Sequence, residues 1–561
     1  MRYVLVVIAT CFLLPGQEVS QSGLLLKAAR PMVSQPERAR KAMIASAHEL
    51  ASQAGLLILQ RGGNAVDAAV AVGFALAVVH PEAGNIGGGG YMVVRMSDGR
   101  TRAFDYKEMA PALATPDAYR NPEDIRVGYK ASAVPGTVAG MAMAHAKFGR
   151  LPWRAVLEPA WKLARDGFPA SQRMELILAL QVPVMKTFPD TARVFLHGGE
   201  TPLKQGEIVK QPDLARTIRR IQTKGWREFY EGETARMIDA DMRAHNGTIR
   251  IEDLKKYAAK ELDPLQGTYR GYKILTIPPS SSGGFTLISM LNILEQFPMP
   301  LGEEGSFRSR HLLVEAMRRA FRDRAEFSAD PAFFEVPVSR LISKEHSKQL
   351  AADIKTDKAT PSASLAGAAQ ASNGVESDDT THFSVVDESG NIVSNTYTLN
   401  GFYGSQVIPK GTGVLMNDIM GGFSTSLKSR NVMAPGKRPV SSMTPTVVLY
   451  PDGRTFLALG SPGSQTIPNT VVQTLVNMID YKMSLRDAVE FPRIHHQFQP
   501  DKIDLEPAGI ILDVAEKLKA AGYRIDTRPR SQGDVHAVGI AEDGWRVGWS
   551  DGRRGGRAAG Y

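Results

Sequence analysis

Residues 378–400 read DDTTHFSVVDESGNIVSNTYTLN, and this stretch is the clearest guide to the fold of the 561-residue chain. Two runs typical of β-strands, His382–Asp387 and Ile392–Leu399, flank a turn that contains glycine, which predicts a β-hairpin. The same pattern recurs at Tyr91–Met96 with Thr101–Tyr106, at Thr446–Tyr450 with Thr455–Leu459, and at His536–Ala541 with Trp545–Ser550. Repeated hairpins predict antiparallel sheets.

Helical patterns lie between the hairpins. Ser46 and Glu49 predict a capping box before an amphipathic helix that runs to Arg61. The segment Ala65–His80 is apolar almost all round, and its length suits a helix buried between layers better than a membrane span. Another helical pattern covers Leu312–Arg324. Helices mixed with antiparallel hairpins predict an α+β fold whose sheets are covered by helices on their outer faces.

Composition excludes several classes of protein. Hydrophobic residues make up 43% and charged residues 22%, a mixture typical of a globular chain. The net charge of +9 comes from scattered basic residues, without the basic and aromatic stripe of a nucleic-acid-binding protein. The single cysteine, Cys11, excludes intramolecular disulfides, CxxC zinc sites and iron–sulfur clusters. The neighbouring pair His495 and His496 lacks the carboxylate spacing of a metal site, so no metal or other cofactor is expected.

The amino terminus has the layout of a secretory signal. Arg2 precedes an apolar run from Tyr3 to Leu14, and Pro15 and small residues follow, which predicts cleavage after Ser22. The alternative is an amphipathic or membrane helix, but the run is too short to cross a bilayer. We therefore expect a periplasmic or secreted protein without a stable membrane anchor, whose mature chain contains no cysteine.

A segment of different composition precedes the first quoted hairpin. Ala359–Gly374 reads ATPSASLAGAAQASNG and lacks aromatic residues, so it is either a domain linker or a mobile arm. If the chain were cut before Thr380, the freed α-amine could serve as the base for the hydroxyl of the same residue. The alternative is a strand that simply begins with hydroxyl residues.

Longer motifs identify a family resemblance. From about Arg38 to Tyr561 the sequence resembles the γ-glutamyltranspeptidases (glutathione hydrolases) of the N-terminal-nucleophile superfamily. The matching motifs, besides residues 378–400, are GGNAVDAAVAVGFALAVVHPEAGNIGGGGYMVVR (62–95), FDYKEMAPA (104–112), PGTVAGM (135–141), KRPVSSMTPT (437–446), GSPGSQTI (460–467), FPRIHHQF (491–498) and the terminal Ala-Gly-Tyr (559–561).

The resemblance implies an autocatalytic enzyme. Cleavage at Asp379–Thr380 would make Thr380 the nucleophile, which attacks the γ-amide of glutathione or a similar donor and passes the γ-glutamyl group to water, an amino acid or a peptide amine. The other implied site residues are Thr398, which orients the nucleophile; Asn400, which contacts the amino acid end of the donor; Ser441 and Ser442, which bind the α-carboxylate; and Gly463 and Ser464, which form an oxyanion hole from backbone N–H groups.

The resemblance also implies the organisation of the precursor. Residues 1–22 would be the signal peptide, residues 23–379 a large chain that ends in a linker at about 359–379, and residues 380–561 a small catalytic chain. Both chains would build one four-layer αββα sandwich and remain together as a heterodimer. The partners implied are small-molecule donors and acceptors, not nucleic acid.

Four positions depart from the family pattern. Lys107 replaces an arginine that holds the donor carboxylate, and lysine lacks the bidentate guanidinium fork. Ile419 and Gly422 replace a glutamine or glutamate and an aspartate, so the usual carboxylate partner of the donor's α-ammonium is missing. Asp418 could compensate only from a neighbouring position. The oxyanion hole of the family has two glycines, and this chain has Ser464 in place of the second. A serine would be tolerable there if its φ is negative and strained if the position needs a positive φ.

Two other functions stay open at this stage. One is a related acylase that acts on glutaryl or other acyl amides, as cephalosporin-acylase-like proteins do, because such acyl groups need no partner for an α-ammonium. The other is an uncleaved, inactive homologue that serves as a binding protein. The presence of Thr380 and Thr398 argues against the inactive homologue.

Overall fold

The computed structural model describes residues 35–365, 379–424, 426–526, 528 and 530–561. The predicted signal peptide and most of the predicted linker lie outside these residues. In chain order the strands are β1 (Glu37–Ala39), β2 (Met43–Ser46), β3 (Gly89–Arg95), β4 (Thr101–Asp105), β5 (Phe168–Pro169), β6 (Leu196–His197), β7 (Thr201–Pro202), β8 (Ile208–Val209), β9 (Lys260–Leu262), β10 (Leu265–Tyr269), β11 (Tyr272–Thr276), β12 (Asp379–Val386), β13 (Ile392–Asn400), β14 (Thr446–Leu449), β15 (Thr455–Leu459), β16 (Ile494–His495), β17 (Asp504–Leu505), β18 (His536–Ile540), β19 (Arg546–Ser550) and β20 (Arg557–Gly560).

Fourteen of these strands form two seven-stranded antiparallel sheets. Sheet I has the order β1-β19-β18-β15-β14-β11-β10, and sheet II has the order β20-β2-β12-β13-β3-β4-β9. The four predicted hairpins are confirmed as the pairs β3/β4, β12/β13, β14/β15 and β18/β19. Strands from both sides of the Asp379–Thr380 bond contribute to each sheet, so the two parts of the chain share one structural unit from Pro36 to Tyr561.

The helices connect and cover these sheets. In chain order they are α1 (Glu49–Gln60), α2 (Ala65–Val79), α3 (Thr137–Phe148), α4 (Trp153–Asp166), α5 (Gln172–Met185), α6 (Pro189–Phe195), α7 (Pro212–Lys224), α8 (Glu228–Glu231), α9 (Glu233–Ala244), α10 (Ile251–Lys256), α11 (Gly283–Leu294), α12 (Phe307–Phe327), α13 (Val338–Leu341), α14 (Lys344–Ala351), α15 (Ile467–Ile479), α16 (Leu485–Glu490) and α17 (Leu512–Ala520). Within the described residues, no helix has the length and apolar character required to cross a membrane.

The predicted helices occur where the patterns placed them, with one error at a cap. Every residue of α2 is buried, as its apolar surface requires, and Asn64 and Asp67 form a capping box at its start. The predicted Ser46–Glu49 box is wrong. Ser46 lies at the end of β2 and bonds to the Ser52 hydroxyl at 2.8 Å, and the cap of α1 is His48, whose Nδ1 accepts from the Leu50 N–H.

Three of the four apolar clusters among the described residues join the sheets to the helices and to each other. One joins sheet II to helices that include α1–α4, and a second joins sheet I to α11, α12, α15 and α17. The third contains residues of both sheets, among them Tyr91 and Val93 of β3 with Val447 of β14 and Val538 of β18. The α+β prediction is therefore confirmed, with helices packed on each sheet and apolar side chains of the two sheets in contact.

The described part of the low-complexity segment is fixed by hydrogen bonds. The Ala359 N–H donates to the carbonyl of Ala521, and the Thr360 N–H donates to Glu315 Oε1 at 3.1 Å. Ser362, which is fully buried, donates its N–H to Asp501 Oδ2 and accepts from Arg318. The expectation of a loose segment is therefore wrong for residues 359–365. Hydrogen bonds to distant residues fix this part of the chain, although its own side chains cannot bury enough surface to do so.

Candidate active site

The predicted nucleophile lies at the start of the central hairpin of sheet II. Thr380 pairs with Thr398 across β12 and β13, and both side chains are buried. Thr380 Oγ1 donates to Thr398 Oγ1 at 3.3 Å, and Thr398 Oγ1 donates to the carbonyl oxygen of Asp379 at 3.0 Å. The Asn400 N–H donates to the same Thr398 hydroxyl at 2.8 Å. The Thr380 hydroxyl is thus connected through one residue to the carbonyl of the bond predicted to be cut.

Six of the predicted site residues meet in one pocket. It encloses about 320 Å³, including its open mouth, and its wall contains Lys107, Thr380, Thr398, Asn400, Ser441 and Ser464. The remaining wall residues are Ile419, Gly422, Val440, Met443 and Ile467. Among the described residues that line this pocket, none carries a carboxylate. Asp379, Ser442 and Gly463 lie next to wall residues in the chain but do not line the pocket.

The cation of the pocket has a buried partner. Lys107 Nζ lies 2.9 Å from Glu108 Oε2, and both side chains are almost completely buried. The backbone around the pair is fixed, because the Lys107 N–H donates to Asp105 Oδ1 at 2.9 Å and its carbonyl accepts from the Tyr257 hydroxyl at 3.0 Å. An incoming carboxylate therefore meets a positive charge that Glu108 already balances. Glu108 is not among the residues predicted for the site.

Asp418 does not supply the missing carboxylate of the pocket wall. Its Oδ1 accepts from the Gly401 N–H at 2.7 Å, and its Oδ2 lies 3.4 Å from Asn400 Nδ2. Burial raises the pKa of Asp418 to about 7, although these hydrogen bonds oppose the increase. Asn400 lines the pocket and Asp418 does not, so the carboxyl group of Asp418 contacts the side-chain amide of Asn400 from outside the pocket wall. Asp418 thus orients Asn400 and does not itself contact a ligand in the pocket.

Gly463 and Ser464, predicted for the oxyanion hole, lie in the loop of residues 460–464, called here the oxyanion loop, which follows β15 and ends where a short 3₁₀ turn leads into α15. Gly463 has φ +124°, and a side chain there would collide with Thr466 Oγ1. Ser464 has φ +55°, which is the left-handed region that disfavours a residue with a Cβ atom. The strained alternative for Ser464 is therefore the one observed. Backbone N–H groups before a helix suit the binding of a developing negative charge.

The predicted serine pair separates into two environments. Ser441 lines the pocket, and its hydroxyl accepts from the Met443 N–H at 3.2 Å. Ser442 is fully buried, and its hydroxyl accepts from Arg324 Nη2 at 2.7 Å. Only Ser441 is therefore positioned to contact a ligand in the pocket directly, while Ser442 links this segment to α12. Arg324 was missed because its helical pattern predicted packing alone.

No metal site was found among the described residues, where no group of three or more histidine, cysteine or acidic side chains could hold an ion. His495 bonds to Asn469 and Gln497, and His496 lies 3.1 Å from Asp501. Both histidines thus have structural partners.

Comparisons with known proteins identify the family. The sequence profile of the gamma-glutamyltranspeptidase family matches residues 51–561. The chain is 41% identical over 538 residues to a glutathione hydrolase proenzyme of Escherichia coli, covering 93% of this chain and 92% of that protein. It is 39% identical to the acylase ACY 1 proenzyme of a Pseudomonas strain, covering 91% and 92%. A cephalosporin acylase from Bacillus halodurans superposes with a TM-score of 0.85 at 26% identity, covering 95% and 98%.

Proposed function

Because the chain belongs to the γ-glutamyltranspeptidase family, we propose that it is a glutathione hydrolase and γ-glutamyltransferase with Thr380 as its nucleophile. The hydrogen bonds from Thr380 through Thr398 to the Asp379 carbonyl support this assignment most directly. They hold a hydroxyl beside the bond that must be cut, in a pocket that also contains a cation and a serine for an anionic donor.

Maturation is the first reaction of this site. Thr380 Oγ1 attacks the carbonyl carbon of Asp379, and its proton passes to the Thr380 nitrogen as the C–N bond breaks. The product is an ester between Asp379 and the Thr380 oxygen, with a free α-amine. The Thr398 hydroxyl stabilises the negative charge that develops on the attacked carbonyl oxygen. Water hydrolyses the ester and leaves a carboxylate on Asp379 and a free hydroxyl on Thr380.

Turnover uses the new amino terminus. The α-amine of Thr380, whose ordinary pKa is about 7.7–8.0, accepts the hydroxyl proton as the oxygen attacks the γ-amide of the donor. The N–H groups of Gly463 and Ser464 stabilise the oxyanion, and the leaving amine receives the proton. The resulting γ-glutamyl ester is cleaved by water, or by the amine of an amino acid or peptide.

Donor binding involves the remaining predicted residues. The ammonium of Lys107 and the hydroxyl of Ser441 bind the α-carboxylate, and Ser442 holds the segment through Arg324. The amide of Asn400, oriented by Asp418, contacts the amino acid end of the donor. Lysine provides a point charge where arginine would bind in two places, so the donor is held with less geometric restraint.

We further propose the four-layer αββα arrangement, cut into chains 23–379 and 380–561 that stay together. The apolar cluster shared by both sheets and the strands that each part contributes support this organisation. The layout of residues 1–22 supports export to the periplasm or the medium. Sequencing of the amino termini of the purified protein tests the two proposed cleavage sites, since the expected chains begin after Ser22 and at Thr380.

The central test is a denaturing gel with intact-mass analysis, together with release of p-nitroaniline from γ-glutamyl-p-nitroanilide. We expect two chains and activity from the wild type, and a full-length, inactive Thr380→Ala variant. Thr381→Ala is the matched control, because this neighbouring threonine is also buried, and it should cleave normally. A wild type that remains one inactive chain would leave the uncleaved binding protein as the correct function. Normal cleavage of Thr380→Ala would refute the assigned nucleophile.

A second candidate is an acylase for glutaryl or similar acyl amides. The specific observation in its favour is the pocket wall, where Ile419 and Gly422 provide no anionic partner for an α-ammonium. A glutaryl group carries the terminal carboxylate but no such ammonium. Rates with γ-glutamyl- and glutaryl-p-nitroanilide, measured side by side, distinguish the two functions. A clear preference for the glutaryl compound would replace the proposed donor.

A further inference from the structure

The two halves of the candidate site belong to different sheets. Thr380 lies on β12 of sheet II, whereas Gly463 and Ser464 follow β15 of sheet I. Acyl transfer requires the attacking oxygen and the oxyanion donors to be held at a fixed separation, and a misplacement of 1 Å can cost about a hundredfold in rate. A buried side chain that contacts both the hairpin of Thr380 and the loop of Gly463 and Ser464 could fix the distance between them.

The imidazole of His382 lies between the hairpin that carries Thr380 and Gly460, where the oxyanion loop begins. His382 is two residues after Thr380, so both side chains point to the same face of β12. Its ring is fully buried, with Nδ1 at 2.8 Å from Thr396 Oγ1 and Nε2 at 2.9 Å from Ser384 Oγ. Both ring nitrogens are thus tied to the hairpin that carries Thr380.

The hydrogen bonds assign the protonation of this ring. Ser384 Oγ donates its single proton to the carbonyl of His536 at 2.9 Å. His382 Nε2 must therefore donate to Ser384, and Nδ1 accepts from the Thr396 hydroxyl. Burial lowers the pKa of His382 well below its usual range, and the neighbouring His536 lowers it further, which agrees with a neutral ring.

The Nδ1–Cε1 side of the ring contacts the start of the oxyanion loop. A Cβ atom at Gly460 would overlap Nδ1 of His382, so the ring lies directly against the backbone where the loop begins. Sheet I holds the loop from its other side, because the His536 N–H donates to the Gly460 carbonyl at 3.4 Å and the Asp534 N–H donates to Ser461 Oγ at 2.9 Å.

We propose that His382 is a positioning residue that sets the distance between Thr380 and the oxyanion loop. This role rests on the proposed function, since it presumes that the loop stabilises an oxyanion. The ring does not act as the base, because both of its nitrogens are used within the hairpin. The ring acts as a spacer, and Gly460 leaves room for it because glycine has no side chain.

Steady-state kinetics on cleaved, active-site-titrated enzyme test the role. His382→Asn and His382→Ala should lower kcat by about tenfold to a hundredfold for both hydrolysis and transfer, with KM changed by less than about twofold. His311→Asn is the matched control. It removes a fully buried imidazole whose nitrogens are also both bonded, to Lys355 and Tyr523, and it should retain kcat.

A size exchange provides the second measurement. Gly460→Ala alone should lose most activity because its methyl group meets the ring, and His382→Ala in the same chain should restore kcat by about tenfold. Folded but uncleaved His382 variants would overturn the role, because self-cleavage uses the Thr398 hydroxyl of the same hairpin and not the oxyanion loop. Retention of kcat in both His382 variants, an equal loss in His311→Asn, or additive losses in the double variant would overturn it. An inactive wild type would instead refute the proposed function.

Discussion

Replacement of Gly422 by aspartate tests whether the missing carboxylate determines the choice of donor. The position can accept a side chain, because a Cβ atom there would lie 3.4 Å from Pro439 Cβ and 3.6 Å from Ile419 Cδ1, which are ordinary contacts. Gly422 lines the pocket together with Lys107 and Asn400, so the new carboxylate would enter the region where the donor's amino acid end is expected.

The expected gain follows from one charged hydrogen bond. Such a bond to an α-ammonium is worth about 1.5–3 kcal/mol, which corresponds to a roughly ten- to hundredfold lower KM for a γ-glutamyl donor. A glutaryl donor has no ammonium, so for this donor the added negative charge should raise KM. The assay is p-nitroaniline release from both donors by the cleaved enzyme, with kcat and KM determined separately.

Gly422→Asn is the control, because it has the same shape without the charge and should leave the preference between the two donors nearly unchanged. The Asp variant should cleave itself at the wild-type rate, since maturation involves no α-ammonium. A folded, cleaved Gly422→Asp enzyme with an unchanged γ-glutamyl KM, or with an equal gain for the glutaryl donor, would refute the reasoning.

Three further changes have defined outcomes. Thr398→Val removes the hydroxyl that donates to the Asp379 carbonyl and should slow self-cleavage by about 10²–10³-fold, measured on a time course of gels, whereas Thr398→Ser should largely preserve it. Burial raises the pKa of the Asp418 carboxyl group in the folded chain to about 7, so the unfolded chain loses this proton at lower pH than the folded chain does. The free energy of unfolding of the wild type should therefore fall by on the order of 4 kcal/mol as the pH rises from about 4 to 7. Asp418→Asn should abolish this contribution. Melting curves that are equally pH-dependent in the Asn variant would contradict this. Ser464→Gly should raise the melting temperature by relieving about 1 kcal/mol of strain at φ +55° while keeping kcat, because the backbone N–H remains; an unchanged or lower melting temperature would count against strain.

Features that depend on local order in the chain could be predicted from the sequence. The four hairpins follow from strand-forming runs around glycine-containing turns, and α2 follows from its continuous apolar surface. The start of α1 was mispredicted because Ser46 has two uses, a helix cap or a strand end. Its pairing with β12 and β20 decides for the strand, and that pairing joins residues more than 300 positions apart.

Six of the nine predicted site residues line one pocket, but their hydrogen-bond and ion-pair partners could not be predicted from the sequence. Glu108 is adjacent to Lys107 in the chain, yet only the burial of both side chains makes their ion pair important. Asp418 is close enough in the chain to be a candidate for the missing carboxylate, but its carboxyl group is bonded to Gly401 and Asn400. In each case the decisive quantity is a long-range contact or a degree of burial, for which a single sequence contains no direct signal.

In the proposed function, maturation and donor choice depend on different residues. Self-cleavage would use the hydroxyls of Thr380 and Thr398 and the Asp379 carbonyl, which belong to the β12–β13 hairpin. Donor recognition would use Lys107 and the pocket wall at Ile419 and Gly422, which come from other segments of the chain. Substitutions in this wall can therefore alter the donor without impairing maturation. The chain is 41% identical to a glutathione hydrolase proenzyme and 39% identical to an acylase proenzyme, which is the pattern expected if donor preference can change independently of maturation.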